Sequence, residues 1–425
     1  MKSMRWWSAG VVLTFVILAI FASHPAALAQ GGRSQEHWVG TWATAPVPRP
    51  QSQPGQAQQG QTPRPVLNFS NQTLRQIVHT SVGGERARVM LSNRFGTAPL
   101  EVGAARVALR EKSAAIVPKS DRVLTFSGRS SMTIAPGVQI VSDPVDLSVP
   151  ALADLAVDLY LPGDTAATTS PLTFHAGALQ TNYVSPPGNH TGALDMPVMT
   201  TTQSWFFLRG VEVAAPEQTG VIAAFGSSTT DGTGSTVDAN GRWPDALARR
   251  LAAQNIKMGV VNVSVGGNGL LGKVPVGGSL IERFQRDVLE QPGVTHVIVV
   301  PPRTRDDTEN PPSSVDELIA GHRQLIQWAH GRGLKIYGAT GMPFEGNQGW
   351  RPGSEPKRQA VNEWIRMSRE YDGVIDFDAV MRDPHQPTKL LPEYDSGDHL
   401  HPNDAGYQKL ANAIDLKLFK AGASH

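Results

Sequence analysis

Two short stretches carry residue types suited to nucleophilic chemistry, and they lie far apart in the chain. In the first, Ile222-Ala-Ala-Phe-Gly-Ser-Ser-Thr-Thr-Asp-Gly232, an apolar run ends at Phe225 and a small-residue turn follows. A serine just past a buried strand stands where an α/β sheet holds a nucleophile, and Ser228 has that place. Turns of this composition also serve as plain connections, so the reading depends on partners. A serine hydroxyl is a poor nucleophile at neutral pH and needs a histidine base whose other nitrogen is held by an acid. The second stretch, Tyr394-Asp-Ser-Gly-Asp-His-Leu-His-Pro-Asn-Asp-Ala-Gly406, offers both groups. Asp398 and His401 are three residues apart, close enough for the carboxylate to orient the imidazole on one short loop. The same spacing would also suit a cap for the helix that follows. His399 is a rival base, but its neighbouring position gives it a different direction. Most other histidines fall in strand or helix patterns and read as ordinary surface or core residues.

Attack by a serine on a carbonyl creates an oxyanion, which needs hydrogen-bond donors. Val260-Val-Asn-Val-Ser-Val-Gly-Gly-Asn-Gly-Leu-Leu271 puts a glycine pair at the end of an apolar strand. Glycine lets the backbone approach a ligand, so the Gly267 amide is a candidate donor; a tight strand-to-helix turn is the plainer reading, and both can hold. Phe344-Glu-Gly-Asn-Gln-Gly-Trp350 follows a later strand, and Trp350 is a candidate wall for a sugar or acyl group, or a cover for a core edge. Asp395, Asp398, His399, His401 and Asp404 have side chains that suit zinc or calcium. Adjacent loop residues rarely all point inward, so no metal and no organic cofactor is expected.

These groups need a scaffold, and the chain is long enough for two domains at 425 residues. Lys+Arg 38 against Asp+Glu 37 leaves it nearly neutral, with nothing to suggest a nucleic-acid partner. Cysteine is absent, which removes disulfides, thiolate metal sites and a cysteine nucleophile together. Residues 1–29 have the Lys2 and Arg5 start, the apolar run Val11 to Ala22 and the Ala27-Leu28-Ala29 site of a secretory signal, so export to the periplasm or beyond is expected. Residues 49–65 are rich in Gln, Pro and Gly and read as a flexible loop. From Leu74 to about Val213 short alternating runs separated by turn residues argue for a β-sandwich or jelly roll, giving an all-β domain over 30–215. From Val221 apolar strands alternate with helical patterns, which predicts a parallel sheet covered on both faces over 216–425. The expected helices lie near 243–254, 279–289, 314–331, 355–370 and 403–420.

Gly226-Ser-Ser-Thr-Thr-Asp-Gly232, Asn262-Val-Ser-Val-Gly-Gly-Asn268 and Asp398-His-Leu-His401 resemble blocks one, two and five of the SGNH (GDSL-type) hydrolases, in the correct order. The resemblance covers roughly 220–420 and implies a flavodoxin-like three-layer α/β/α fold and ester hydrolysis through an acyl-serine. It implies Ser228 as nucleophile and, through its own amide, as oxyanion donor. It further implies Gly267 as a second donor, His401 as base and then acid, and Asp398 as the group that orients His401. Two blocks depart from the family pattern. Ser227 and Thr229 flank the nucleophile where the family has Asp and an aliphatic residue. In block three, Pro302 stands at the family's Gly and Thr304 at its oxyanion Asn, within Pro301-Pro-Arg-Thr-Arg305. The layout, a β-domain ahead of an SGNH domain, is similar to that of some secreted carbohydrate esterases. It makes a small ester or acylated polysaccharide the expected partner. The block-three departure motivates an alternative, a weakly active or inactive hydrolase fold that binds glycan.

Overall fold

The parallel sheet that carries the site has five strands, in the spatial order Met258–Asn262, Gly220–Phe225, Val294–Val299, Lys335–Ala339, Gly373–Ile375. Counted along the chain this is 2-1-3-4-5, the doubly wound order of flavodoxin-like sheets. The computed structural model from which it is read describes residues 36–49, 68–168, 171–272, 277–302, 305–308 and 311–420. The expected signal segment 1–29 and nearly all of the Gln/Pro/Gly stretch, 50–65, lie outside the described residues.

Each face of the sheet is covered by helices, and the strand period of two sorts the side chains between them. Val221, Ala223 and Phe225 point into one core with Leu280, Phe284, Leu325, Ile326, Val361 and Ile365. Ile222 and Ala224 point into the other, with Trp243, Leu247, Leu251, Tyr407 and Leu410. The helices that supply these residues span Leu280–Phe284, Val315–His330, Ser354–Met367, Trp243–Ala253 and Asp404–Ala413. Two expected helices differ in form. The segment expected over 279–289 is α-helical to Phe284 and then widens to a π turn over Gln285–Leu289. The last one stops at Ala413, because Ile414 turns to extended backbone (ψ 117), and a separate 3-10 turn follows over Leu416–Phe419.

The N-terminal region is sheet-rich. Consecutive strands there do not simply pair with each other. Gln72–His79 lies in a seven-stranded sheet between Asp154–Leu161 and Asn182–Pro187, whereas the next strand, Ala87–Ser92, lies in a four-stranded sheet beside Leu208–Ala215. The Gly83–Gly84 turn therefore crosses between sheets, and its tightness explains both glycines. A Cβ on Gly83 would stand 2.6 Å from the Val149 carbonyl oxygen. Leu74, Val78, Val107 and Val157 of the larger sheet share one core with Val89, Leu91, Val211 and Val213 of the smaller. Among the described residues, a single helical turn, Thr165–Thr168, interrupts the otherwise all-β region.

The change of period near residue 216 marks a change of architecture, yet packing continues across it: His37–His425 form one compact unit. The first strand, His37–Ala43, lies against the edge strand Met258–Asn262 of the parallel sheet. Gly40 donates to the Pro292 carbonyl (3.0 Å), and the Val260 amide donates to Ser81 Oγ (2.9 Å), which in turn donates to the Thr41 carbonyl (2.7 Å). A Cβ on Gly259 would lie 2.6 Å from the Gly40 carbonyl oxygen, so the approach requires a glycine there. An exposed strand edge invites unwanted pairing, and this one is covered.

Candidate active site

Ser228 follows the strand Gly220–Phe225 at its carboxyl end, beside the point where the strand order reverses. The small-residue turn expected there is in part a helical turn, Ser228–Asp231, closed by Gly232 in the left-handed region (φ 107). Gly226 makes the sharp exit from the strand possible. A Cβ there would meet Thr230 Oγ1 at 2.7 Å and the Val300 carbonyl at 2.9 Å. No acceptor among the described residues takes the Ser228 amide.

His401 lies 173 residues away in sequence and 2.7 Å away in space, its Nε2 accepting from Ser228 Oγ. Its Nδ1 donates to Asp398 Oδ2 at 2.5 Å. The His401 side chain is 10% exposed, while the Asp398 side chain retains 45% of its accessible surface. Partial burial pushes the Asp398 carboxyl up, but hydrogen bonds from the His401 amide, the His401 ring and the Leu400 amide outweigh it and bring it down to about 2. A carboxylate of that kind stays charged, fixes the tautomer with Nε2 unprotonated and stabilises the imidazolium once a proton arrives. The helix that follows is capped by Asn403, whose Oδ1 accepts from the Gly406 amide, so Asp398 and His401 are not its cap.

The rival His399 forms a dyad of its own, with Nδ1 2.7 Å from Asp395 Oδ2, on an exposed ring at φ 60. Asp404 is turned away to Thr236, accepting from its amide at 2.9 Å and its hydroxyl at 2.5 Å. Among the described residues no cluster of His, Asp and Glu has the arrangement of a metal site.

The glycine pair lies beside the serine. Gly267 has φ 74, and a Cβ on Gly266 would stand 3.8 Å from Ser228 Cβ. Thr304, the residue at the block-three position, lies outside the described residues. The loop bearing Trp350 is tied to the histidine loop, since Asn347 Nδ2 donates to the Asp398 carbonyl at 2.8 Å and Gly346 packs on the His399 ring. Trp350 is half-buried with its indole Nε1 buried and unpartnered among the described residues.

Sequence reasoning missed the residues that hold these loops. Arg283, fully buried, donates from Nε to Asn268 Oδ1 (2.8 Å), from Nη1 to the Val263 carbonyl (2.9 Å) and from Nη2 to the Gly226 carbonyl (3.3 Å). It thereby joins the serine turn to the glycine loop. Its charge is met by Asp287 at 2.8 Å. Burial would raise the Asp287 carboxyl, but Arg286, Arg283 and Arg209 together hold it below its ordinary value. Asp306 accepts from the Leu270, Leu271 and Gly272 amides at 2.8–3.0 Å and fixes the far half of the glycine loop. Asp231, quoted in the sequence motif without a role, accepts from the Gly266 amide at 3.1 Å and from His175 Nε2 at 3.0 Å. His175 is thus not an ordinary core histidine. No local signal marks it, because its partner is 56 residues away.

A serine, a histidine and an aspartate in hydrogen-bonded line at the carboxyl edge of a doubly wound α/β sheet have the geometry of a serine hydrolase site. Residues 224–409, a little under half of the chain, match the model of the GDSL-like Lipase/Acylhydrolase family. That match supports a carboxylic ester hydrolase. Among solved structures, the chain is similar to a lipase/acylhydrolase from Enterococcus faecalis at 22% identity, over 46% of this chain and 93% of that one, with a TM-score of 0.36. It is also similar to a variant of an acetyl-xylooligosaccharide esterase from Geobacillus (21% identity, 47% and 93%, TM-score 0.36). A third is a carbohydrate acetylesterase from Sinorhizobium meliloti (15% identity, 47% and 98%, TM-score 0.38). No curated protein matches the chain.

Proposed function

We propose that the protein is an exported serine esterase that removes acetyl or other short acyl groups from carbohydrate or small esters. The observation that carries the reaction is the Ser228 Oγ to His401 Nε2 contact of 2.7 Å with Asp398 behind it. Ser228 Oγ attacks the ester carbonyl carbon as its proton passes to His401 Nε2. The charge that develops on the carbonyl oxygen faces the Ser228 amide and the Gly266–Gly267 turn. Collapse breaks the carbon–oxygen bond, and the departing alcohol takes the proton from His401. Water then attacks the acyl-serine with His401 again as base, releasing the acid and restoring Ser228. Trp350, on a loop tied to Asp398, forms one wall of the site.

The intact line of three residues supports turnover rather than a decayed fold that only binds glycan. The carbohydrate alcohol rests on the layout alone, in which a sandwich-like β-domain over 30–215 precedes the hydrolase domain over 216–425. Export rests on the signal-like residues 1–29. Hydrolysis of p-nitrophenyl acetate by wild type, abolished in Ser228→Ala, is the expected result. Equal rates in the two proteins would end the proposal. A fluorophosphonate should label Ser228 and no other residue by peptide mapping.

A further inference from the structure

His175 is buried in the strand Leu172–Ala176 of the N-terminal region, 3% exposed, with its ring tilted against Trp205. Its two ring nitrogens both face acceptors. Nδ1 is 2.9 Å from the Ala45 carbonyl oxygen, and Nε2 is 3.0 Å from Asp231 Oδ1. A neutral imidazole carries one hydrogen and would leave one of these contacts as two lone pairs facing each other; the imidazolium satisfies both. Burial opposes that charge, but the Asp231 carboxylate outweighs it, and the group is held above its ordinary value. The other oxygen of the same carboxylate accepts the Gly266 amide. Asp231 also ends the helical turn that begins at Ser228. One charged pair therefore joins three things: the N-terminal sheets, the serine turn and the glycine loop.

We propose that His175, supplied by the N-terminal region, is a positioning residue for the esterase site, acting through Asp231 to hold the Gly266–Gly267 turn against Ser228. The idea rests on the acyl-serine reading above and assigns the β-rich region a part in it. Donors must already point at the oxyanion when charge develops, because reorienting them during the reaction costs rate. An Asp231 without the hydrogen bond from residue 175 is free to turn, and Gly266 loses the anchor that sets the following residue.

Two isosteric substitutions separate this role from simple packing. The amide nitrogen of asparagine overlays histidine Nδ1, and that of glutamine overlays Nε2. His175→Asn keeps the donor to Ala45 and loses the one to Asp231; His175→Gln does the reverse. In the full-length protein acting on p-nitrophenyl acetate, His175→Asn should lose about 10²-fold in kcat with KM changed less than about twofold, the size of effect expected of a small misplacement of catalytic groups. His175→Gln should stay within about threefold of wild type in kcat, since its amide still reaches Asp231. A residue that only fills space would lower both alike and in step with their melting temperatures. Equal kcat losses in the two variants, or none in His175→Asn, would overturn the inference. Should His175→Asn fail to fold, Asp231→Asn tests the pair from the other end: a fall in kcat is expected, and wild-type kcat refutes it. Ser228→Ala is measured beside them. If it turns over like wild type, the acyl-serine reading falls and takes this one with it. An inert Ser228→Ala beside an unimpaired His175→Asn removes the positioning role alone.

Discussion

Asp398 is the most exposed of the three aligned residues, yet its carboxyl is brought down to about 2 by hydrogen bonds from its own loop. It therefore stays charged across the working range, and under the proposed mechanism the acid limb of the rate is assigned to His401 as base. The value of kcat/KM should rise with pH through one ionisation between about pH 5 and 8, where imidazoles titrate. A flat profile there would contradict the base role. Asp398→Asn removes the charge that fixes the tautomer, and kcat should fall by about 10⁴-fold. The same group affects stability. Its folded value lies below the ordinary 3.8, so the unfolded chain binds its proton first and the contribution is present above that value. It is lost as pH falls through about 2. Urea midpoints measured from pH 5 downward should consequently fall less steeply in Asp398→Asn than in wild type, by about one proton's worth of slope.

At the scale of elements, the serine turn and the glycine loop are held from below by Arg283 on the helix Leu280–Phe284. Removing that guanidinium leaves the Gly226 and Val263 carbonyls short of a donor in the interior and takes from Asp287 one of its three guanidinium partners, Arg283, Arg286 and Arg209. Breaking one side of a buried pair costs about 3–5 kcal/mol, so Arg283→Ala should lower the unfolding free energy by that amount in denaturant titration. Gly226→Ala forces a methyl group against the Val300 carbonyl at 2.9 Å, a backbone atom with little freedom to retreat. It should reduce kcat, because relief can come only by displacing the Ser228 turn.

The whole molecule places a β-rich region and a parallel α/β layer on one shared core. Val39, Val89 and Val213 are in the same cluster as Val221, Phe225 and Val261. Arg209 of the strand Leu208–Ala215 reaches across, donating to the Thr44 carbonyl at 2.8 Å and to the Arg286 carbonyl at 3.1 Å. Two regions that share a core and buried charges should unfold together. Thermal unfolding followed by near-UV circular dichroism and by residual esterase activity should give one coincident transition. Two well-separated transitions would show that the regions are energetically independent.

Ser228, Asp398 and His401 were legible because each signal is local: a serine at a strand end, and an acid three residues before a histidine on one loop. The alternation of strand and helix was legible for the same reason, since burial on one face imposes a period that a short window displays. Which N-terminal strands share a sheet was not, because Gln72–His79 and Ala87–Ser92 carry the same alternation yet pair in different sheets. Nor could a window reveal that His175 meets Asp231, that Arg283 reaches Gly226 or that Asp306 gathers the amides of 270–272. A buried charge is tolerable only with a partner, and the fold can bring that partner from any distance along the chain. The sequence by itself determined which residues could react. Tertiary structure decided which charges hold them in place, because that depends on contacts between segments whose local patterns say nothing of each other.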